Sequence, residues 1–217
     1  MAIKIQSTKD CHVDGIKVVV HGVSGVGKTV LCTTAPKPII ISSERGLLSL
    51  SKMDIPFIEV NTVKDVDDAY NYLKADKEYD TICVDSISEI ADKVIVELKK
   101  SVSDARQAYG QLSDSLGSVI RKFRDLKGKN VVFIAKSRRL DDEEAGTWQM
   151  EPFITGRALP FQLPYLVDEV FYYDIDRKGN RILCTKSSRK YIAKDRSGML
   201  DEFEKPNLTE IFKKIGG

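Results

Sequence analysis

The residues 22-GVSGVGKT-29 set a lysine and a threonine directly behind a glycine-rich turn, at the spacing G-x-x-x-x-G-K-S/T. Those types at that spacing hold a polyphosphate. Successive backbone N–H groups wrap the β-phosphate, and the start of the following helix adds partial positive charge. Gly25 and Gly27 lack a Cβ, which lets the backbone come close to the phosphates and adopt positive φ. Lys28 would bridge β- and γ-phosphate oxygens, and the Thr29 hydroxyl would ligate Mg²⁺. The context fits as well, because the β-branched run 18-VVV-20 precedes the turn and a helical stretch follows it. An ordinary glycine turn between strand and helix matches fewer of the fixed positions. The predicted nucleotide-binding segment is Gly22, Val23, Ser24, Gly25, Val26, Gly27, Lys28, Thr29 and Val30, with ATP and Mg²⁺ as its ligands.

A metal at Thr29 needs a carboxylate partner. The apolar strand of 81-TICVDSISEI-90 ends in Asp85, the pattern of a Walker B acid. The other role for Asp85, capping the helix that begins near Ile87, can be filled by Ser86. Hydrolysis also needs a base within reach of the attacking water. Glu44 follows the strand 39-IIIS-42, whose end should open on the same crevice as the P-loop. Glu89 is the competitor, expected one turn into a helix and turned away from the nucleotide.

These residues need a frame. Apolar runs at 16–21, 39–42, 57–60, 81–85 and 130–135 have the near-continuous Val/Ile/Phe content of strands covered on both faces. Helical stretches lie between them, at Lys28 to Thr34, Val63 to Lys74, Ile87 to Lys100 and Gln111 to Leu126. The alternation predicts an α/β fold with a mostly parallel sheet in one domain over residues 1–217. Residues 136–160 show no periodicity and are expected to form a long loop. The segments 169-EVFYYDI-175 and 181-RILCTK-186 flank a turn and predict a C-terminal β-hairpin, followed by a short helix from Leu208 to Ile215.

Composition excludes some classes. Thirty-four Lys plus Arg nearly cancel thirty-two Asp plus Glu, so any basic surface must be local. The four cysteines, Cys11, Cys32, Cys83 and Cys184, are far apart and form no C-x-x-C pair. Most lie in apolar segments, as reduced, packed thiols of a cytoplasmic protein do. No run is long enough to span a membrane, and the first residues lack the apolar core of a signal peptide. His12 and His21 have no ligand partners at zinc spacing; His21 is expected to pack or hydrogen-bond beside the P-loop.

The order of P-loop, 40-IISSERG-46, 81-TICVDS-86 and 111-QLSDSLGSVIRKFRDLKGKNVVFIAKSRR-139 resembles the RecA-type recombinase core, from about Gly15 to about Leu208. The chain is more closely similar to small phage proteins, RecA-like single-strand annealing proteins and their nucleotide-binding relatives, which share the late stretch 193-AKDRSG-198. The resemblance implies a RecA-like P-loop ATPase acting on single-stranded DNA in recombination or replication, with Glu44 activating water and Asp85 at the metal. It places Lys136 at the γ-phosphate sensor, where RecA proteins usually carry Gln. It also places Arg138, Arg139, Trp148 and Arg157 in the counterpart of a DNA-binding loop, where a solvated loop anchored by Trp148 is the alternative. Lys194 and Arg196 would act across a subunit interface on a neighbour's γ-phosphate, or else belong to a solvated face. The implied partners are single-stranded DNA, a single-strand-binding protein and further copies of the chain. No counterpart of RecA's polymerisation helix or C-terminal domain is evident, so ring and filament both stay open. Two other functions remain, a nucleotide-dependent loader or mediator with negligible turnover, and a small-molecule kinase. The kinase is disfavoured because no arginine-rich lid is seen.

Overall fold

The structure is a computed structural model that describes residues 14–44, 47–143 and 146–216. Cys11 and His12 lie outside the described residues. The first strand, β1 (Lys17–Gly22), is buried along its whole length and feeds α1 (Lys28–Cys32) through the glycine turn. β2 (Pro38–Ser42), a 3₁₀ turn (Leu47–Leu50), β3 (Phe57–Glu59), α2 (Val63–Ala75) and β4 (Thr81–Asp85) follow. Then come α3 (Ile87–Ser101), α4 (Ala105–Arg124), β5 (Asn130–Asp142), β6 (Thr147–Phe153) and α5 (Ala158–Leu166). The chain closes with β7 (Glu169–Ile175), β8 (Arg181–Cys184), β9 (Lys194–Asp195), β10 (Phe203–Glu204) and α6 (Leu208–Gly216).

One sheet runs β10-β8-β7-β1-β5-β4-β2-β3, with β6 paired to β5 and β9 to β7. Its strands β7, β1, β5, β4, β2 and β3 are parallel to their neighbours. The strands alternate their side chains between two cores, as a period of two requires. Val19, Ile41, Val84 and Phe133 face α2 to α5, whereas Val20, Ile40, Cys83 and Ile134 face α1 and α6. This is the predicted mostly parallel α/β architecture, and β7 and β8 form the predicted C-terminal hairpin.

Caps explain where the helices begin. Thr62 Oγ1 accepts from Asp65 N at 3.1 Å while Asp65 accepts from Thr62 N at 2.9 Å, a capping box that starts α2. Asp104 accepts from Arg106 N at 2.8 Å, which starts α4 at Ala105 rather than at the expected Gln111.

The described residues of the segment expected as a loop over 136–160 form strands and the start of a helix, so that expectation is corrected. β5 continues to Asp142 and turns back as β6, with Lys136 opposite Phe153 and Asp142 opposite Thr147. The pairing of β5 with β4 stops at Ile134 and that with β1 at Lys136, so the outer half is an antiparallel ladder clear of the sheet. It needs no apolar run, and its residues KSRRLDD supply none. The hairpin is anchored sideways, with Met150 N donating to Lys190 O at 2.7 Å and Ile192 N to Met150 O at 2.9 Å. After it, α5 carries Pro164 inside, which removes a helical hydrogen bond and disguises the helix in the sequence. Burial of Leu159 and Leu163 holds it.

At the end of the sheet opposite the P-loop, Glu169 is buried with one carboxyl oxygen, Oε2, without a hydrogen-bond partner among the described residues. Burial first, and then the nearby Asp195 and Asp168, push its carboxyl up to about 7. The folded chain therefore keeps a proton there that the unfolded chain has released, in the window from about 4.5 to about 7. The stability this contributes is full below that window and is lost as pH rises through it. Glu169→Gln, neutral at every pH, should melt progressively higher than wild type as pH goes from 5 to 8. Melting curves of both proteins at the two pH values check this.

Candidate nucleotide site

Register brings the predicted chemistry to one end of the sheet. β5 is inserted between β1 and β4, so Gly22 pairs with Lys136, Ile134 with Asp85, and Asp85 with Ser42. Four sequence-distant strand ends therefore meet at one cavity of about 1140 Å³, lined by the P-loop with Glu44, Asp85, Glu89, Lys136 and Arg181 among others. This is the crevice at the carboxyl ends of parallel strands, where α/β folds bind ligands.

The glycines are needed for two reasons. A Cβ on Gly22 would stand 2.5 Å from the Tyr173 carbonyl oxygen, so only glycine lets β1 lie this close to β7. Gly27 has φ 107°, in the left-handed region, as the cap residue of α1. Lys28 Nζ folds back on the loop, donating to Gly22 O at 2.8 Å and Val23 O at 2.9 Å. Burial holds its ammonium below the usual lysine range, with Asp85 and Glu44 pulling the other way.

Thr29 Oγ1 donates to Asp85 Oδ2 at 2.6 Å. Burial pushes the Asp85 carboxyl up to about 6; the Thr29 hydrogen bond opposes this, Glu44 adds to it and Lys28 opposes it. A hydroxyl and a carboxylate oxygen side by side, at a buried acid that a cation would favour, are a hard-oxygen donor set that fits Mg²⁺. No cluster of three or more His, Cys, Asp or Glu suited to a metal occurs among the described residues. Phosphate oxygens and water would supply the remaining ligands of such an ion.

The two candidate bases lie on the same cavity, which corrects the expectation that Glu89 turns away. Glu44 is exposed, with Oε1 accepting from Ser86 Oγ at 3.0 Å. Glu89 Oε2 accepts from Lys136 Nζ at 3.0 Å, and the same ammonium reaches Asp92 Oδ2 at 2.7 Å. Lys136 is therefore neutralised by two acids of α3. Its backbone N–H donates to Ser88 Oγ at 2.9 Å, and Ser88 Oγ donates to Phe153 O at 2.5 Å. Both strands of the β5–β6 hairpin are thus tied to the helix that follows Asp85.

His21 is fully buried and links the P-loop strand to the same region, as expected. A carbonyl can only accept, so Nε2–H donates to Ile192 O at 2.8 Å, and Nδ1 accepts from Ser137 Oγ at 2.8 Å. Burial holds this imidazole down at about 4, with the Ile192 carbonyl opposing and Lys28 assisting, so it is neutral.

The predicted DNA residues are only partly brought together. Arg138 Nε pairs with Glu151 at 2.6 Å and its guanidinium lies 5.1 Å from the Phe153 ring centre. Arg139 Nε pairs with Asp141 at 2.6 Å and lies 5.0 Å from the Trp148 ring centre. Arg157 stands apart from this ladder, exposed at the start of α5. Lys194 is half-buried, and its ammonium donates to Pro164 O and Val167 O at 2.5 Å each. Arg196 is exposed and pairs with Asp168 at 3.1 Å, beside the buried Lys17 at the far end of the sheet.

Two cavity cations escaped the sequence reading. Lys93 Nζ donates to Ser43 O at 2.5 Å from the second turn of α3. Arg181 Nε donates to Val26 O at 2.8 Å from β8. Only the topology places either one, and no local motif marks them.

The AAA domain family matches residues 14–197. No curated protein matches the sequence. Among solved structures, the chain is similar to the KaiC-like protein PH0186 from the hyperthermophilic archaeon Pyrococcus horikoshii OT3. The two are 15% identical, with 81% of this chain and 80% of that one covered and a TM-score of 0.45.

Proposed function

Since the chain belongs to the AAA domain family, we propose that it is a Mg²⁺-dependent ATPase whose cycle acts on single-stranded DNA. One observation carries this reading. The phosphate loop, the Thr29–Asp85 pair and the exposed Glu44 share a cavity with Lys136, and Lys136 is the residue from which the β5–β6 hairpin leaves the sheet. Lys28 and the P-loop N–H groups bind the phosphates, Thr29 and Asp85 hold the metal, and Glu44 takes the proton of the attacking water. Bound Mg²⁺ would neutralise charge on the β- and γ-phosphates. A γ-phosphate would compete with Glu89 and Asp92 for the Lys136 ammonium, and so shift the pairing at the root of the hairpin.

The resemblance to phage RecA-like annealing proteins supports recombination or replication as the setting, in the host cytoplasm, with several copies of the chain acting together. The buried, free thiols of Cys32, Cys83 and Cys184 suit a reducing compartment. No described helix is long and apolar enough to cross a membrane.

DNA contact must come from localised cations, since the net charge is only +2. Arg139 and Trp148 stack on the exposed hairpin, where bases could pile on the indole and phosphates replace Asp141. Single-stranded DNA should raise ATP turnover. The Arg138→Ala, Arg139→Ala double variant should flatten the slope of log affinity against log salt by roughly one to two units. ATP hydrolysis with and without single-stranded DNA, plus a salt titration of binding, checks both. If turnover is negligible and insensitive to DNA, while nucleotide still changes binding of a single-strand-binding protein, the loader or mediator reading replaces this one.

A further inference from the structure

Two cations hold the two ends of the phosphate loop. Lys28 is bonded to carbonyls at its start, Gly22 O and Val23 O, and Arg181 to a carbonyl near its end, Val26 O. Arg181 arrives there by hairpin geometry. It pairs with Ile175 across β7 and β8, and the turn between them is fixed by Asp176, whose carboxylate accepts from Lys178 N and Asn180 N at 2.8 Å each. The side chain then lies over Gly27, where a Cβ would stand 3.3 Å from Arg181 Nε and 3.5 Å from the Tyr173 hydroxyl.

The bond to Val26 uses one of the five N–H donors of a guanidinium and leaves the four on its terminal nitrogens. Arg181 has no carboxylate partner among the described residues, and it is the arginine that lines the P-loop cavity. Of the other cavity cations, Lys136 is already neutralised by Glu89 and Asp92. A planar, permanently charged fork with free donors, fixed at the rim of a phosphate cradle, is built for phosphate oxygens.

We propose that Arg181 is a second phosphate-binding cation, supplied by the same chain. Its Nε braces the Val26–Gly27 peptide, and its terminal nitrogens bind the α- and β-phosphate oxygens that ADP and ATP share. This rests on the nucleotide-binding reading above. Arg181 adds affinity through its charge, and its bond to Val26 aims that charge.

Fluorescent ADP and ATP analogues, titrated with Mg²⁺ against wild type and the variants Arg181→Ala, Arg181→Gln, Arg181→Lys and Lys28→Ala, test it. Arg181→Ala should weaken ADP and ATP by the same factor, about tenfold or more, as the loss of a charge-assisted contact implies. Arg181→Lys should recover part of that loss. Arg181→Gln keeps a neutral donor for Val26 and should recover little. The inference is overturned if the Arg181→Gln variant binds ADP as wild type does, since the residue is then only a brace. It is equally overturned if Arg181→Ala loses affinity for ATP but not ADP, which would put the contact on the γ-phosphate. Failure of the underlying reading looks different, because wild type would then not bind either analogue, or Lys28→Ala would bind like wild type. Should Arg181→Ala not fold, the Gln and Lys variants decide between the same outcomes.

Discussion

Replacing Lys28 with alanine should abolish tight ATP binding, and turnover with it, in a chain that still folds. The ammonium makes its bonds to Gly22 O and Val23 O at 2.8 and 2.9 Å, so it bridges the loop where the polyphosphate would lie. Held there below its usual proton affinity by burial, it gains most from a phosphate that offers charge in place of carbonyl dipoles. Two charge-assisted contacts to phosphate oxygens correspond to at least about a hundredfold in affinity. The fold does not depend on them. α1 is held by buried Leu31 and Cys32, and the Leu31 N–H bonds to Gly27 O at 2.9 Å irrespective of the lysine side chain. Calorimetric titration with Mg²⁺–ATP beside a melting curve checks the claim. A folded variant with wild-type affinity would remove the phosphate cradle from the account.

How much of this could be read beforehand depends on where the determinants sit. The P-loop was legible because its chemistry is local, with eight consecutive residues specifying turn, helix start, cation and hydroxyl. The parallel strands were legible because a strand covered on both faces must be apolar throughout, as 39-IIIS-42 and 130-NVVFIA-135 are. Asp85 and Glu44 followed from strands ending at one crevice. The hairpin over 136–153 was not legible, since a ladder standing off the sheet needs neither an apolar run nor a strict alternation. α5 was hidden by Pro160 and Pro164, which local preference assigns to a loop and which tertiary burial of Leu159 and Leu163 overrides. The pairing of Lys136 with Glu89 and Asp92 spans more than forty residues, and only the β1–β5–β4 register creates it. Arg181 reaches the P-loop across 155 residues of chain, with no motif to announce it.

That register also brings two carboxylates, Glu44 and Glu89, to the proposed nucleotide cavity. Glu44→Gln should leave ATP bound and slow its hydrolysis by about two orders of magnitude or more, as loss of a general base does. The amide can still accept from Ser86 Oγ through the oxygen that now does so at 3.0 Å, so the position of the side chain survives the substitution. What disappears is the second carboxylate oxygen's capacity to take a proton. Glu89 cannot offer the same service at no cost. One of its oxygens is 3.0 Å from the Lys136 ammonium, and drawing a proton from water would set that ion pair aside. Glu89→Gln should therefore cost less, because Asp92 at 2.7 Å continues to hold Lys136 in place. Single-turnover phosphate release, measured with ATP already bound, separates the chemical step from affinity. If Glu89→Gln alone stops release while Glu44→Gln proceeds at the wild-type rate, the base is on α3. Lys136 would then sit beside the reacting water, at the root of the hairpin proposed to meet DNA.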